Sequence, residues 1–122
     1  MTVREVVGAL GLEVLNGPDK LKLVPQLALD KEVTGGYVSD LLSDVIAHAK
    51  TGSLWITLQT HRNIIAVATL KELAAVILVA GRTPDSETLA KAREENVLLL
   101  ASQLPAFELA GRLYQMGIRG TE

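Results

Sequence analysis

Residues 53–101 read SLWITLQTHRNIIAVATLKELAAVILVAGRTPDSETLAKAREENVLLLA, and the fold is decided within them. Three runs, SLWITL, AAVILVA and VLLLA, are apolar with almost no polar alternation. A strand with one wet face alternates, whereas a strand covered on both faces does not. Counted from Leu54, from Ala75 within the second run and from Val97, their spacing is 21 and 22 residues. Parallel neighbours need a crossover of about a dozen residues, and RNIIAVATLKEL and PDSETLAKAREEN supply one each. The rhythm therefore predicts parallel strands near 54–58, 76–79 and 97–100 with helices on both faces. Thr60 is the expected cap of the first crossover helix. Thr83, with Pro84 at the first helical position, opens the second, on which Glu87 and Lys91 form an i, i+4 pair.

Working outward, Val3, Val6, Val7 and Leu10 have helical spacing, with Gly11 as the C-cap. Leu12 to Leu15 reads as a small strand closed by an Asn16-Gly17-Pro18-Asp19 turn. Residues 20–29 alternate like a strand but are broken by Pro25, so pairing and coil both stay open there. Val33 ends a brief strand, Thr34-Gly35-Gly36 makes a flexible turn, and Tyr37 leads into a helix marked by Val38, Leu41, Leu42, Val45, Ile46 and Ala49. Ser39 or Asp40 is its expected cap. A last helix spans Pro105 to Gln115, with Phe107, Ala110, Leu113 and Tyr114 as its apolar face and Glu108 paired to Arg112. Gly117 ends it before a frayed tail. The expectation is one domain over residues 1–122: an α/β, small layered fold with a mostly parallel sheet flanked by helices.

Composition narrows the function classes. In 122 residues, 48% are apolar and 21% charged, which allows one packed core. One Phe, one Trp and two Tyr make that core aliphatic. A formal charge of -2 offers no basic field, which argues against nucleic-acid and anionic-membrane binding. With no Cys, disulfides, thiolate chemistry and Cys-ligated metals are excluded. The first ten residues carry Arg4 and Glu5 and lack a signal-length apolar stretch, so the expected location is cytoplasmic.

In open parallel sheets ligands gather outside the carboxyl ends of the strands. Three such loops are Gln59-Thr60-His61, Gly81-Arg82-Thr83 and Ser102-Gln103. The candidate ligand-binding set is Gln59, His61, Gly81, Arg82 and Thr83, with Thr34, Gly35 and Gly36 closing over it. Its donors, imidazole and guanidinium fork, beside helix starts, suit a small anionic metabolite. Ordinary loop polarity and capping compete for the same residues. Neither GxGxxG nor GxxxxGK[ST] is present, nor HExxH, nor a GxSxG elbow. Asp40 and Asp44, one turn apart, read as helix-surface acids favoured by the dipole rather than as a catalytic pair. His48 reads as a residue favoured at a helix end. No catalytic residue, metal or cofactor is assigned, and nothing compels an enzyme. An edge or helix face left uncovered in so small a chain favours a homodimer.

The stretches VTGGYVSDLLSDVIAHA (33–49), residues 55–94 and VLLLAS (97–102) together resemble the DRTGG domain, a small α/β regulatory module. Such domains are also found between paired CBS domains and in front of phosphotransacetylase, and they resemble the N-terminal domain of HPr kinase/phosphorylase. The similarity spans roughly Leu12 to Leu113. The name motif falls on Glu32-Val33-Thr34-Gly35-Gly36, with Thr-Gly-Gly intact and the preceding acid-base pair replaced by Glu32 and Val33. The strand-end glycine of the family matches Gly81, followed here by Arg82. The resemblance implies a sensing, scaffolding or dimerising role beside catalytic domains, and no reaction. The expected function is a noncatalytic regulatory or protein-interaction module, standing alone as a homodimer, with a separately encoded kinase or other enzyme as partner. The alternative is a sensor that binds a small anionic, nucleotide-like metabolite at the strand C-terminal rim.

Overall fold

A capping box opens the chain: the Thr2 hydroxyl accepts from the Glu5 amide while the Glu5 carboxylate accepts from the Thr2 amide. From it α1 (Val3–Leu10) runs to a left-handed Gly11. The structure, a computed structural model, describes residues 1–16 and 28–120. After α1 come β1 (Glu13–Val14), β2 (Gly35–Val38), α2 (Leu42–His48), β3 (Ser53–Thr57), α3 (Asn63–Lys71), β4 (Ala75–Leu78), α4 (Ser86–Glu95), β5 (Leu99–Ala101) and α5 (Ala106–Gln115). The fold is α/β, as the strand-helix rhythm requires.

The sheet order is β1-β5-β4-β3-β2. β2 to β5 are parallel, in the register Gly35 opposite Ser53, Thr57 opposite Leu78, and Val76 opposite Leu99. β1 is antiparallel to β5, with Glu13 opposite Ala101. The Asn16 amide prolongs that ladder, accepting from the Leu99 amide at 2.9 Å and donating to the Val97 carbonyl. Of the Asn16–Asp19 turn only Asn16 is described, and the open reading of 20–29 falls mostly on residues outside the described ones.

Side chains alternate across the sheet, and each set meets its own helices. Leu54, Ile56, Ala75, Ile77, Leu98 and Leu100 pack with Val3 and Val6 of α1 and with Leu109 and Leu113 of α5. Trp55, Val76, Leu78 and Leu99 face the other way, against Val45, Ile64, Ile65, Ala68 and Ala92 of α2, α3 and α4. Full burial of each Val, Leu or Ile among them stabilises by about 1.5–3 kcal/mol, so both faces of the central strands hold the fold.

Several local expectations are corrected. Gly35-Gly36 is not a turn but the start of β2, and the tail lies along its outer edge. The Gly36 amide donates to the Arg119 carbonyl at 3.0 Å, and Gly36 bridges Gly120. A Cβ on Gly35 would sit 2.9 Å from that carbonyl, so glycine is required by close approach of backbone. The tail is therefore docked at least through Gly120, with Ile118 buried. Because residues 35–38 are strand, the next helix starts only at Leu42, with no side-chain cap. At α3 the His61 Nδ1, not Thr60, accepts from the Asn63 amide at 3.2 Å. α4 starts after Asp85, leaving Thr83 and Pro84 in the loop. Glu87 faces Arg62 at 3.7 Å, and Lys91 reaches Glu95 at 3.1 Å. On α5 the buried face is Leu109 and Leu113. Phe107, about 200° around the helix from Leu109, is 88% exposed and Tyr114 is 57% exposed.

Candidate functional site

The parallel strands bring four loops to one end of the sheet, and Asp40 ties two of them together. Placed just after β2, Asp40 accepts through Oδ1 from the Thr57 hydroxyl at 2.9 Å and from the Leu58 amide at 2.7 Å. Its carbonyl accepts from Gln59 Nε2 at 2.9 Å. The buried Trp55 donates from Nε1 to the Ser39 carbonyl at 2.8 Å, fixing the same loop from beneath. Ser39 Oγ accepts from the Leu41 amide at 3.1 Å and closes the turn into α2. Asp40 thus caps no helix; it is the carboxylate of the rim. The signal that finds it is the reading of GGYV as a strand, which moves Asp40 from a helix surface to a strand end.

The β3–α3 loop is also tied to α4. Buried Thr88 donates to the Thr60 carbonyl at 2.6 Å, and the Asp85 amide donates to the same carbonyl at 3.3 Å. The β4–α4 loop is tied to the β5–α5 loop: the Ala80 amide donates to the Leu104 carbonyl at 2.8 Å, and the Gly81 amide to the Ser102 carbonyl at 3.1 Å. Gly81 has φ +69, which favours glycine at this strand end; a Cβ there would meet only the movable end of the Gln103 side chain, Oε1 at 2.8 Å.

Of the candidate residues, Gln59, His61, Gly81, Arg82 and Thr83 lie together at this C-terminal end. Gln59 is spent on Asp40, and His61 uses Nδ1 on the Asn63 amide, leaving its other ring nitrogen to carry the proton. Arg82 is exposed, and its guanidinium has no ion pair among the described residues. Thr83 is exposed beside it. Thr34, Gly35 and Gly36 are not brought there. Gly35 opposes Ser53, the first residue of β3, which places them at the other end of the strands. Thr34 Oγ donates to the Thr51 carbonyl at 2.6 Å, and its amide donates to the Gly52 carbonyl at 3.0 Å.

The topology explains the closed rim. In doubly wound sheets the crevice opens where strand order reverses. Here β2, β3, β4 and β5 follow one another in simple progression, with α2, α3 and α4 packed on a single face. No reversal splays the loops, so they bond to each other. A shallow groove of about 510 Å³ lies instead between α3 and α4, lined by Arg62, Asn63, Ala66, Glu87, Ala90 and Lys91 together with Glu94. Among the described residues no three His, Asp or Glu side chains gather as a metal site.

Beside the rim, Tyr37 donates its hydroxyl to Asp44 Oδ2 at 2.9 Å. The Ser39 and Tyr37 hydroxyls, with a smaller contribution from His48, hold the Asp44 carboxyl below its ordinary value. The same bond to Asp44 pushes Tyr37 up. This is a coupled hydroxyl–carboxylate pair joining β2 to α2, not an acid-base couple aimed at a ligand.

No family model and no curated protein sequence matches the chain. Among solved structures it is similar to the crystal structure of the CBS and DRTGG domains of the regulatory region of Clostridium perfringens pyrophosphatase, complexed with its activator, diadenosine tetraphosphate. The TM-score is 0.63 at 17% sequence identity, over 97% of this chain. The chain spans about half that structure, 47% of its length. At that identity the likeness concerns fold: this chain has a DRTGG-like α/β fold. Among the described residues no helix is long and apolar enough to cross a membrane.

Proposed function

We propose that the chain is a noncatalytic regulatory and protein-interaction module that works as a homodimer and acts on a kinase or other enzyme. The observation that carries this reading is a contrast within the molecule. At the rim, the polar side chains and amides are largely spent on one another, whereas the outer surface leaves Val38, Leu41, Leu70, Phe107 and Tyr114 exposed. These side chains lie outside both cores, and binding another protein would bury them. The regulatory setting of the similar fold supports the same direction. Sedimentation velocity from low micromolar to near millimolar concentration tests the assembly: a mass of two chains at the upper end is expected, and a monomer throughout rejects the homodimer.

A second reading keeps the rim as a sensor for a small anionic, nucleotide-like metabolite. Two observations favour it: the exposed Arg82 guanidinium has no ion pair among the described residues, and α4 starts beside it without a side-chain cap. The solved structure of similar fold holds a dinucleoside polyphosphate. Thermal shift followed by calorimetry with diadenosine tetraphosphate tests this reading. Binding weakened by roughly 2–5 kcal/mol in Arg82→Ala, as for a truncated charge-assisted pair, supports it, and no binding at millimolar ligand rejects it.

A further inference from the structure

The chain has four aromatic residues. Trp55 is buried and Tyr37 half-buried, but the single Phe is 88% exposed and the other Tyr 57% exposed, both on α5. Phe107, Gly111 and Tyr114 stand at i, i+4 and i+7, on one outward stripe opposite the buried Leu109 and Leu113. Among the described residues a Cβ on Gly111 meets nothing within 4 Å, and a mid-helix glycine is destabilising relative to alanine. What it does allow is the approach of another backbone. Two opposite charges border the stripe along one side, Glu108 and Arg112, and neither forms an ion pair among the described residues, with each other or with anything else.

We propose that this face of α5 is the dimer contact, and that its occupant is α5 of a second copy lying antiparallel across it. The inference rests on the homodimer reading above and names the surface. Self-complementarity identifies the occupant. A two-fold axis between Ala110 and Gly111 lies about 5 Å along the helix from Phe107 on one side and from Tyr114 on the other. An antiparallel helix then sets Phe107 against the second copy's Tyr114, and the reverse. The small residues meet at the crossing, where the backbones come closest. Glu108 faces the second copy's Arg112, forming two reciprocal ion pairs from charges that each chain leaves unused. Arg119 stacks over the Tyr114 ring at 3.9 Å and donates to the Tyr114 carbonyl, so this anchor is partly ordered before association. One helix pair falls at or below the roughly 1,200–2,000 Å² of stable complexes. The dimer is therefore reversible, with dissociation visible on dilution.

Sedimentation velocity on four variants of the full chain tests this, with far-UV circular dichroism to verify that each is folded. Phe107→Asp is expected to weaken the dimer roughly thirtyfold or more, as for a central aromatic anchor. Glu108→Arg and Arg112→Glu should each weaken it by placing like charges across the axis, and the double variant, Glu108→Arg with Arg112→Glu, should restore it. A wild-type chain that stays monomeric overturns the homodimer reading and this surface with it. A wild-type dimer that Phe107→Asp leaves intact overturns the surface alone. A dimer lost in Phe107→Asp but not rescued by the double charge exchange overturns the antiparallel pairing.

Discussion

At the C-terminal ends of the strands, Asp40, Thr57, Gln59, Thr60 and Thr88 answer one another; on the outer side of α5, Phe107 is exposed and Glu108 and Arg112 form no ion pair among the described residues. The two regions obey different constraints. A polar group that leaves water must find a partner or cost free energy, so loops crowded over a sheet with no strand-order reversal collapse into their own hydrogen bonds. An apolar ring left in water costs less, and the chain folds despite it. On the proposed reading, internal polar satisfaction makes the rim structural, and the outer side of α5 is where something outside the chain is to be sought.

The largest effect should come from beneath the rim. Leu78 ends β4 and is fully buried, so Leu78→Asp places an uncompensated charge between two helical layers. Loss of soluble, folded protein is expected, read by expression and circular dichroism. If the variant folds with native stability, the loops above β4 are not supported by that core.

Asp40→Ala breaks the rim itself. It removes the acceptor of the Thr57 hydroxyl and the Leu58 amide, and a loss of about 1.5–3 kcal/mol is expected for bonds to a charged group. Urea denaturation measures it. A change within experimental error would mean that the clamp is incidental and that the rim is as free to bind a ligand as α5 is to bind a partner.

The acid limb of stability separates the α2 edge from both regions. Asp44 has a folded value below its unfolded one, so its contribution is complete above the ordinary carboxylate range and disappears as pH falls through the folded value. Tyr37 has the opposite sign of shift: it stabilises below the ordinary tyrosine value and is lost as pH rises through the folded value. Urea midpoints taken across pH should therefore fall at both ends, and Asp44→Asn should flatten the acid end. An unchanged acid slope in Asp44→Asn would assign that loss to other carboxylates.

Smallest of all is the effect of Phe107→Asp on the isolated fold. An exposed position away from special features changes stability by about 0.5 kcal/mol or less, so melting in dilute solution should not move. At high concentration the wild type alone should gain stability by mass action. A large loss in dilute solution would return Phe107 to the fold and erase the contrast between the regions.

Much of the fold was legible, because Leu54–Leu58, Ala74–Ala80 and Val97–Ala101 state burial on both faces without any tertiary information. The error at Gly35-Gly36 has a clear cause. Glycine pairs ordinarily signal turns, and the reason for glycine here, the Arg119 carbonyl, arrives from residues 84 positions away in sequence. Reading Thr34-Gly35-Gly36 as a turn puts the helix start at Val38 and makes Asp40 a helix-surface acid, which hides the most connected carboxylate of the rim. The expected apolar face of Phe107, Ala110, Leu113 and Tyr114 includes one buried residue, Leu113; Leu109 joins it, and since only one side of the helix can meet the sheet, Phe107 and Tyr114 face out.

Sequence alone determined the α/β class, the parallel central strands, their two crossover helices and an aliphatic core, since these follow from periodicity and spacing, which act locally. Tertiary structure decided which polar groups are spent and which surfaces remain. Strand order set whether the loops splay or close, the returning tail set the need for Gly35, and packing against the sheet chose the inward face of α5. Each of these depends on contacts between residues distant in the chain, where burial and partner geometry outweigh local propensity.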